Sequence, residues 1–194
     1  MNDLIDVREL QLKRRVWAAA PPCRVYELIS DVSAMAAWSP DLVSAQYDDG
    51  DGPCVGSWFT GLNRDENHDH PWQTRMRVTE AEPATAFAWT VVAGDADATR
   101  WRYSFRARDG GTLITESWQV LRLFPVMGTS RQALLELRAH NAISMATTLN
   151  ALAGLFDSRP QNPATPELTA SSIYDCRLHR PVTHRSTQGG EAVV

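Results

Sequence analysis

The segment WRYSFRARDGGTLITESWQV, residues 101–120, decides the fold. Before its Asp-Gly-Gly, Trp101, Tyr103 and Phe105 share one face of an extended chain, and arginines occupy the other. The run after the turn again places one set of residues on one face: Ile114, Glu116, Trp118 and Val120. Asp-Gly-Gly between two alternating runs is a strong hairpin signal. The segment therefore predicts an antiparallel hairpin with one buried and one wet face.

Alternation of this kind extends over most of the preceding chain. From about residue 41 to residue 121 the period is two, and Phe87, Trp89 and Val91 share a face. Turn-forming clusters recur at 48–53, 63–71, 81–83, 93–97 and 109–111. Six strands fit this region, and residues 10–19 predict one more before it. The sequence therefore predicts an antiparallel sheet of about seven strands.

Two short helices are predicted directly after the first strand. Pro21-Pro22 ends that strand and supplies a first-turn proline for a helix through Ile29. Asp31 and Ser33 can cap the second helix. It should end at Trp38-Ser39-Pro40, because the residue before a proline avoids the helical region.

A long C-terminal helix is predicted from about Ser130 to Phe156. Its apolar residues fall within one stripe of roughly 60°, namely Leu134, Met145, Leu149, Leu152 and Phe156. The element order gives the fold class α+β, with a curved antiparallel sheet wrapped on this helix. Such a two-layer arrangement encloses a cavity.

The composition limits the domain organisation and the partners. The 194 residues carry a net charge of −4, which argues against nucleic acid as the main partner. We expect an N-terminal extension at 1–8, one domain at 9–157 and a disordered tail at 158–194, because the tail is poor in apolar residues.

Cellular location is predicted from three further features. The acidic MNDLIDVREL start does not fit a signal peptide, and no run of 18 apolar residues could insert into a membrane. The three cysteines are an odd number without C-x-x-C spacing. A reducing cytoplasm is the simplest interpretation. The oligomeric state does not follow from the sequence.

An ordered series of short segments resembles a known family. The first half contributes Ala20-Pro21-Pro22 with Val25, Leu28-Ile29-Ser30-Asp31, Trp38-Ser39-Pro40 and the 52–64 run GPCVGSWFTGLNR. The second half contributes Trp72, Val78-Thr79-Glu80, Phe87-Ala88-Trp89, Trp101-Arg102-Tyr103, Gly110-Gly111-Thr112 and Thr115-Glu116-Ser117. Over about residues 10–156 the series resembles the START-like SRPBCC superfamily, with its bacterial polyketide cyclase/dehydrase branch as the nearer match.

The resemblance implies a helix-grip fold with a hydrophobic ligand cavity between the sheet and the C-terminal helix. It does not imply a reaction, since the superfamily includes lipid and hormone binders, chaperone-like partners, aromatic cyclases and oxygenase domains. No catalytic motif is carried over from it to this chain.

One polar group on an apolar face is a candidate site. Glu116 lies between Ile114 and Trp118, where an unpaired acid is costly, and an in-register hairpin sets it near Tyr103. Arg138 falls inside the apolar stripe of the long helix, with Asn141 about 60° away. These four residues could orient a carbonyl or move a proton. Alternatively, Glu116 and Arg138 form a structural ion pair, or Arg138 snorkels at the helix edge.

The histidines give weaker signals. His68 and His70 lie beside Asp65, Glu66 and Asp69, but this loop lacks the second spaced pair typical of zinc sites, so a solvated connection is predicted and no metal. His140 points away from the apolar stripe and is predicted to face solvent. No phosphate-binding loop, dinucleotide fingerprint or nucleophile elbow occurs, and we expect no cofactor.

The leading functional hypothesis is a binding protein for a small hydrophobic or aromatic molecule. The predicted ligand-binding residues are Trp89, Trp101, Tyr103, Glu116, Trp118, Arg138, Asn141 and Met145. The first alternative is a polyketide cyclase or dehydratase that uses Glu116 and Tyr103 as catalytic acid and base. The second is a protein-interaction module.

Overall fold

One antiparallel sheet dominates the structure. The computed structural model describes residues 5–50, 52–65 and 69–157. Its strands are β1 (Gln11–Ala18), β2 (Leu42–Tyr47), β3 (Trp58–Asn63), β4 (Trp72–Glu82), β5 (Ala86–Ala93), β6 (Ala96–Arg108) and β7 (Gly111–Val120). They are ordered β1-β7-β6-β5-β4-β3-β2 across the sheet. The predicted seven strands and α+β class are confirmed.

The β6–β7 hairpin forms as its sequence predicts. Only Asp109 and Gly110 separate the two strands, and both have positive φ, 51° and 75°. Such backbone angles belong to the mirror-image turns whose twist matches that of a hairpin. The turn fixes a register in which Tyr103 lies opposite Glu116.

The sheet curls, and its strand pairing contains three irregularities. The register shifts between Leu42 and Ser44 in β2, between Val78 and Glu80 in β4, and between Val91 and Val92 in β5. Irregularities of this kind bend a strand and increase its twist. They help to turn the inner faces of the strands towards one another.

The predicted helices are also confirmed. Helix α1 (Pro22–Ser30) has a proline at its start, and a 3₁₀ helix follows at Val32–Ala37. The Asp31 side chain caps that 3₁₀ helix by accepting hydrogen bonds of 3.1 Å and 2.6 Å from the amide and hydroxyl of Ser33. Because Trp38 directly follows this 3₁₀ helix, the Asp31 cap helps to set where the indole enters the core.

Helix α2 (Arg131–Asp157) buries its stripe in two clusters of core residues. Leu149 and Leu152 pack in the larger cluster with aromatic residues of β5 and β6. Leu134 and Met145 pack in the smaller cluster with Trp118. Two more 3₁₀ helices, Val7–Glu9 and Pro125–Met127, lie before β1 and after β7.

The N-terminal extension predicted at residues 1–8 contributes a side chain to the core. Ile5, inside the predicted N-terminal extension, is buried and belongs to the smaller core cluster. The predicted disordered tail, 158–194, lies outside the described residues. Among the helices of residues 5–157 that the structure describes, none is long and apolar enough to span a membrane.

Candidate functional site

Tyr103 and Glu116 form a hydrogen-bonded pair inside the fold. The two residues lie opposite each other on β6 and β7, and the Tyr103 hydroxyl donates a 2.6 Å hydrogen bond to Oε1 of Glu116. Both side chains are buried, each residue being 2% exposed. The contact that the hairpin register predicts is therefore present.

Burial changes the protonation of this pair. Desolvation raises the pKa of Glu116 to about 8, although the hydrogen bond from Tyr103 opposes the rise. Desolvation and the adjacent carboxyl raise the pKa of Tyr103 well above its usual value. At neutral pH Glu116 is therefore mostly a neutral acid. Since Oε1 accepts from Tyr103, the carboxyl proton is best placed on Oε2.

Two buried polar atoms near this pair have no hydrogen-bond partner among the described residues. They are Oε2 of Glu116 and the indole Nε1 of Trp38. The Trp38 ring meets the Tyr103 ring edge-on, with 6.3 Å between ring centroids. Buried polar groups are nearly always hydrogen-bonded, so two buried polar atoms without a hydrogen-bond partner are unusual. It places a free acid group and a free N–H beside the same tyrosine.

Aromatic rings surround the pair. Trp89 stacks on Tyr103 with 5.9 Å between centroids, and Phe59 meets Trp89 edge-on at 5.8 Å. Trp101 and Trp118 lie 6.2 Å apart at the border of the smaller core cluster, to which Met145 also belongs. All the sheet residues predicted to bind ligand therefore lie on the inner face of the sheet.

The ion pair between Glu116 and Arg138, one of the alternatives for these residues, is not formed in the part of the chain that the structure describes. Glu116 forms no ion pair with Arg138 in the described part of the chain, and Nε of Arg138 is buried without a partner. The position of Arg138 on the apolar stripe of α2 predicts that the residue is partly buried. It does not predict which group the guanidinium contacts. Asn141 is likewise half-buried on α2. The structure thus brings together Tyr103 and Glu116, but not Arg138 with either.

His140 is only partly exposed, although the helical period predicted that it faces solvent. Its Nε2 lies 3.2 Å from Oδ2 of Asp41 and 3.7 Å from Oδ2 of Asp65, and only 27% of its side chain is exposed. The turn before β2 and the loop after β3 come to the side of α2 that the helical period assigned to solvent. Together with Arg64, Ile143 and neighbouring residues they line an open groove of about 280 Å³.

The histidine-rich loop gives no evidence of a metal site. Glu66 and His68 lie outside the described residues, and His70 is exposed. No group of three metal-ligating side chains that could hold a metal ion occurs within 5–50, 52–65 and 69–157.

Comparison with known proteins identifies the family. A family model described as polyketide cyclase/dehydrase and lipid transport matches residues 10–155. The chain belongs to this family. The polyketide cyclase/dehydrase resemblance found in the sequence is thereby confirmed. No curated protein matches the chain significantly.

Solved structures similar to this polyketide cyclase/dehydrase family member share its fold. The Polyketide_cyc-like protein Cgl2372 of Corynebacterium glutamicum is 31% identical, with a TM-score of 0.56 over 76% of this chain and 91% of that one. The Zhui aromatase/cyclase of Streptomyces sp. R1128 is 17% identical, with a TM-score of 0.60 over 79% and 97% of the two chains. The second likeness shows the fold alone.

A third similar structure belongs to a di-domain protein. The di-domain ARO/CYC StfQ from the steffimycin biosynthetic pathway is 11% identical to this family member, with a TM-score of 0.61. The match covers 77% of this chain and 52% of StfQ, so this chain corresponds to about half of that protein. This likeness, too, shows only the helix-grip fold.

Trp38 and Phe59 also contact the aromatic rings of this candidate site, although neither was among the predicted ligand-binding residues. Trp38 follows a 3₁₀ helix, so no helical or strand period indicated the direction of its ring. Phe59 is a buried residue of β3, where alternation was less clear than in β6 and β7. The one available signal was their presence in the segments that carry the family resemblance.

Proposed function

We propose that the protein binds a small apolar or aromatic molecule that carries a hydrogen-bonding oxygen, between the sheet and α2. The observation that carries this proposal is the neutral, buried Glu116 whose Oε2 has no partner. A ligand oxygen that accepts the proton on Oε2 would satisfy this group. The indole N–H of Trp38 offers a second donor.

The surrounding side chains favour an apolar ligand. Trp89, Tyr103 and Phe59 are buried and in ring contact, so they offer flat apolar surface beside the acid. Ligand sites commonly combine apolar walls with one or two oriented polar groups. Affinity would come from apolar burial and orientation from the hydrogen bonds.

Titration of the purified protein with planar aromatic molecules and fatty acids tests the proposal. Saturable quenching of tryptophan fluorescence is expected. Met145→Trp should block binding by filling space beside Trp118, because Met145 is 1% exposed and faces the sheet. Ala146→Trp is the matched control, since it adds the same ring at the exposed next position of α2. If nothing in the panel binds, the proposal fails and the interaction-module alternative leads.

A cyclase or dehydratase is the second candidate. It is favoured by one observation: Glu116 holds a proton at neutral pH, while Tyr103 fixes the orientation of its carboxyl group. Such an acid could protonate a ligand carbonyl oxygen during ring closure. The aromatase/cyclase names of Zhui and StfQ support this candidate as analogy only. Formation of an aromatic chromophore from a polyketone by the wild type, lost in Glu116→Gln, would favour the enzyme over the simple binder.

A cytoplasmic location remains a prediction. The thiol of Cys23 is free and exposed, as is usual in a reducing compartment. Thiol titration of the denatured protein, purified without reductant, tests the predicted location. Three free thiols would support the cytoplasm, and fewer would contradict it.

A further inference from the structure

Arg138 brings a positive charge to the face of α2 that covers the sheet. It lies between Leu134 and Met145 along the helix, and both of these neighbours are buried in the smaller core cluster. Positions 134, 138 and 145 fall within about 40° of one another around a helix, so Arg138 projects from the same face. Its Nε is buried and has no hydrogen-bond partner.

Several other arginines of the fold are paired with acids. Arg102 donates hydrogen bonds of 2.6 Å and 2.9 Å to Glu80, and Arg131 at the start of α2 pairs with Glu9 at 3.0 Å. Arg138 has no hydrogen bond or ion pair with a described residue. An unpaired and partly buried guanidinium is costly, because it gives up water without gaining a partner.

No acid on the facing sheet balances this charge. Glu116 is the one buried carboxylic acid among the residues that the structure describes, and its raised pKa of about 8 keeps it mostly neutral. The β1 residue opposite Glu116 is Arg14, a second cation, which is exposed and whose guanidinium donates to the Lys13 carbonyl. The sheet face near α2 thus carries unbalanced positive charge.

We infer that the ligand is an anion: an apolar or aromatic molecule whose carboxylate or enolate pairs with Arg138. This inference rests on the proposed function and adds the charge of the ligand. A guanidinium matches a carboxylate in a two-point geometry, and the pair is strengthened when apolar surroundings exclude water. The neutral Glu116 does not repel such a ligand, whereas an ionised carboxylate there would.

The test compares two ligands of the same shape. 2-Naphthoate is an anion at pH 7 and 2-naphthamide is its neutral counterpart. Dissociation constants are measured by tryptophan quenching and by calorimetry for the wild-type protein, Arg138→Met and Arg138→Lys. Arg131→Met is the matched control, because it removes one positive charge from the same helix at an exposed, paired position.

Wild-type protein should bind naphthoate at least tenfold more tightly than naphthamide. Arg138→Met should abolish this preference while still binding naphthamide, Arg138→Lys should retain part of it, and Arg131→Met all of it. Arg138→Met should also melt no lower than the wild type, so a lost preference cannot be attributed to unfolding.

Three results would overturn the inference. Equal binding of the two ligands to wild-type protein would refute the anion preference and leave the proposed function intact. Loss of the preference in Arg14→Met but not in Arg138→Met would show that the anion pairs with Arg14 and not with Arg138. Failure of both ligands to bind, together with failure of the wider panel, would refute the inference and the proposed function together.

Discussion

Glu116 accepts a hydrogen bond from Tyr103, directly across the β6–β7 ladder, and its other oxygen has no partner among the residues that the structure describes. One carboxyl oxygen of Glu116 is thus hydrogen-bonded and the other is not. Natural proteins rarely leave an acid in this state unless a ligand or a reaction uses it.

The buried Glu116 should make the protein less stable as the pH rises. Its pKa is about 8 in the folded state, against the 4.5 that is usual for a glutamic acid side chain. Between these values the folded protein keeps a proton that the unfolded chain releases, so the free energy of unfolding falls with pH, by at most about 1.4 kcal/mol per pH unit. Glu116→Gln should remove this fall. Urea unfolding at pH 5, 6, 7 and 8 measures it.

The control for this experiment is Glu136→Gln, at an exposed position of α2. It should leave the slope of stability against pH unchanged. An unchanged slope in Glu116→Gln itself would show that Glu116 is ionised in the folded protein, contrary to the burial argument.

Glu80 should have the opposite pH dependence. The hydrogen bond from Arg102 lowers the pKa of Glu80 below its usual 4.5, so its stabilisation is present above that value and is lost as the pH falls through the folded-state pKa. Glu80→Gln should cost about 1 kcal/mol at pH 7 and less in acid. Glu27→Gln breaks the exposed Arg24–Glu27 pair and should cost less at pH 7. Equal costs for the two variants in urea unfolding would contradict this prediction.

His140 and Asp65 should be energetically coupled. The Asp65 side chain is only 8% exposed and lies 3.7 Å from His140, so the pair is screened less than one at the surface. A double-mutant cycle with His140→Ala and Asp65→Asn should give a coupling of about 0.5–1.5 kcal/mol at pH 6. The exposed Arg131–Glu9 pair serves as the reference cycle and should give less. Additive effects at His140 and Asp65 would show that the contact does not stabilise the protein.

How far the sequence predicts this molecule depends on how local each signal is. The β6–β7 hairpin and the Tyr103–Glu116 contact follow from alternation and a two-residue turn, all within twenty residues. Helix α2 and the burial of Arg138 follow from helical periodicity in the same way. Periodicity shows which face of an element is covered, but not what covers it.

The features that the sequence did not predict are contacts between distant parts of the chain. His140 meets Asp41, which lies 99 residues away, and the helical period contains no information about that turn. An ion pair between Arg138 and Glu116 was one of the alternatives because both residues lie on covered faces, yet the position of a guanidinium along a helix depends on side-chain packing. Trp38 was missed as a site residue because a short 3₁₀ helix has no repeating face.

Tyr103→Phe removes only the hydroxyl that donates a hydrogen bond to Glu116. The variant keeps the aromatic ring and its contacts with Trp38 and Trp89 but leaves both oxygens of Glu116 without a donor. Loss of a buried hydrogen bond should cost about 1–3 kcal/mol. The same bond lowers the pKa of Glu116, so its removal should also move the upper end of the pH-dependent loss of stability to above pH 8. Urea unfolding from pH 5 to pH 9 measures both effects.

Tyr26→Phe is the matched control for this last variant. Tyr26 is buried in the same core cluster and meets the rings of Phe87 and Phe105 edge-on at 6.4 Å and 6.3 Å. Removing its hydroxyl should change the free energy of unfolding without moving the pH dependence, because Tyr26 does not contact Glu116. A shift of equal size in both variants would mean that the pH dependence reflects general loosening of the core. A shift in Tyr103→Phe alone would show that the hydroxyl of Tyr103 sets the protonation of Glu116, the group on which both proposed functions depend.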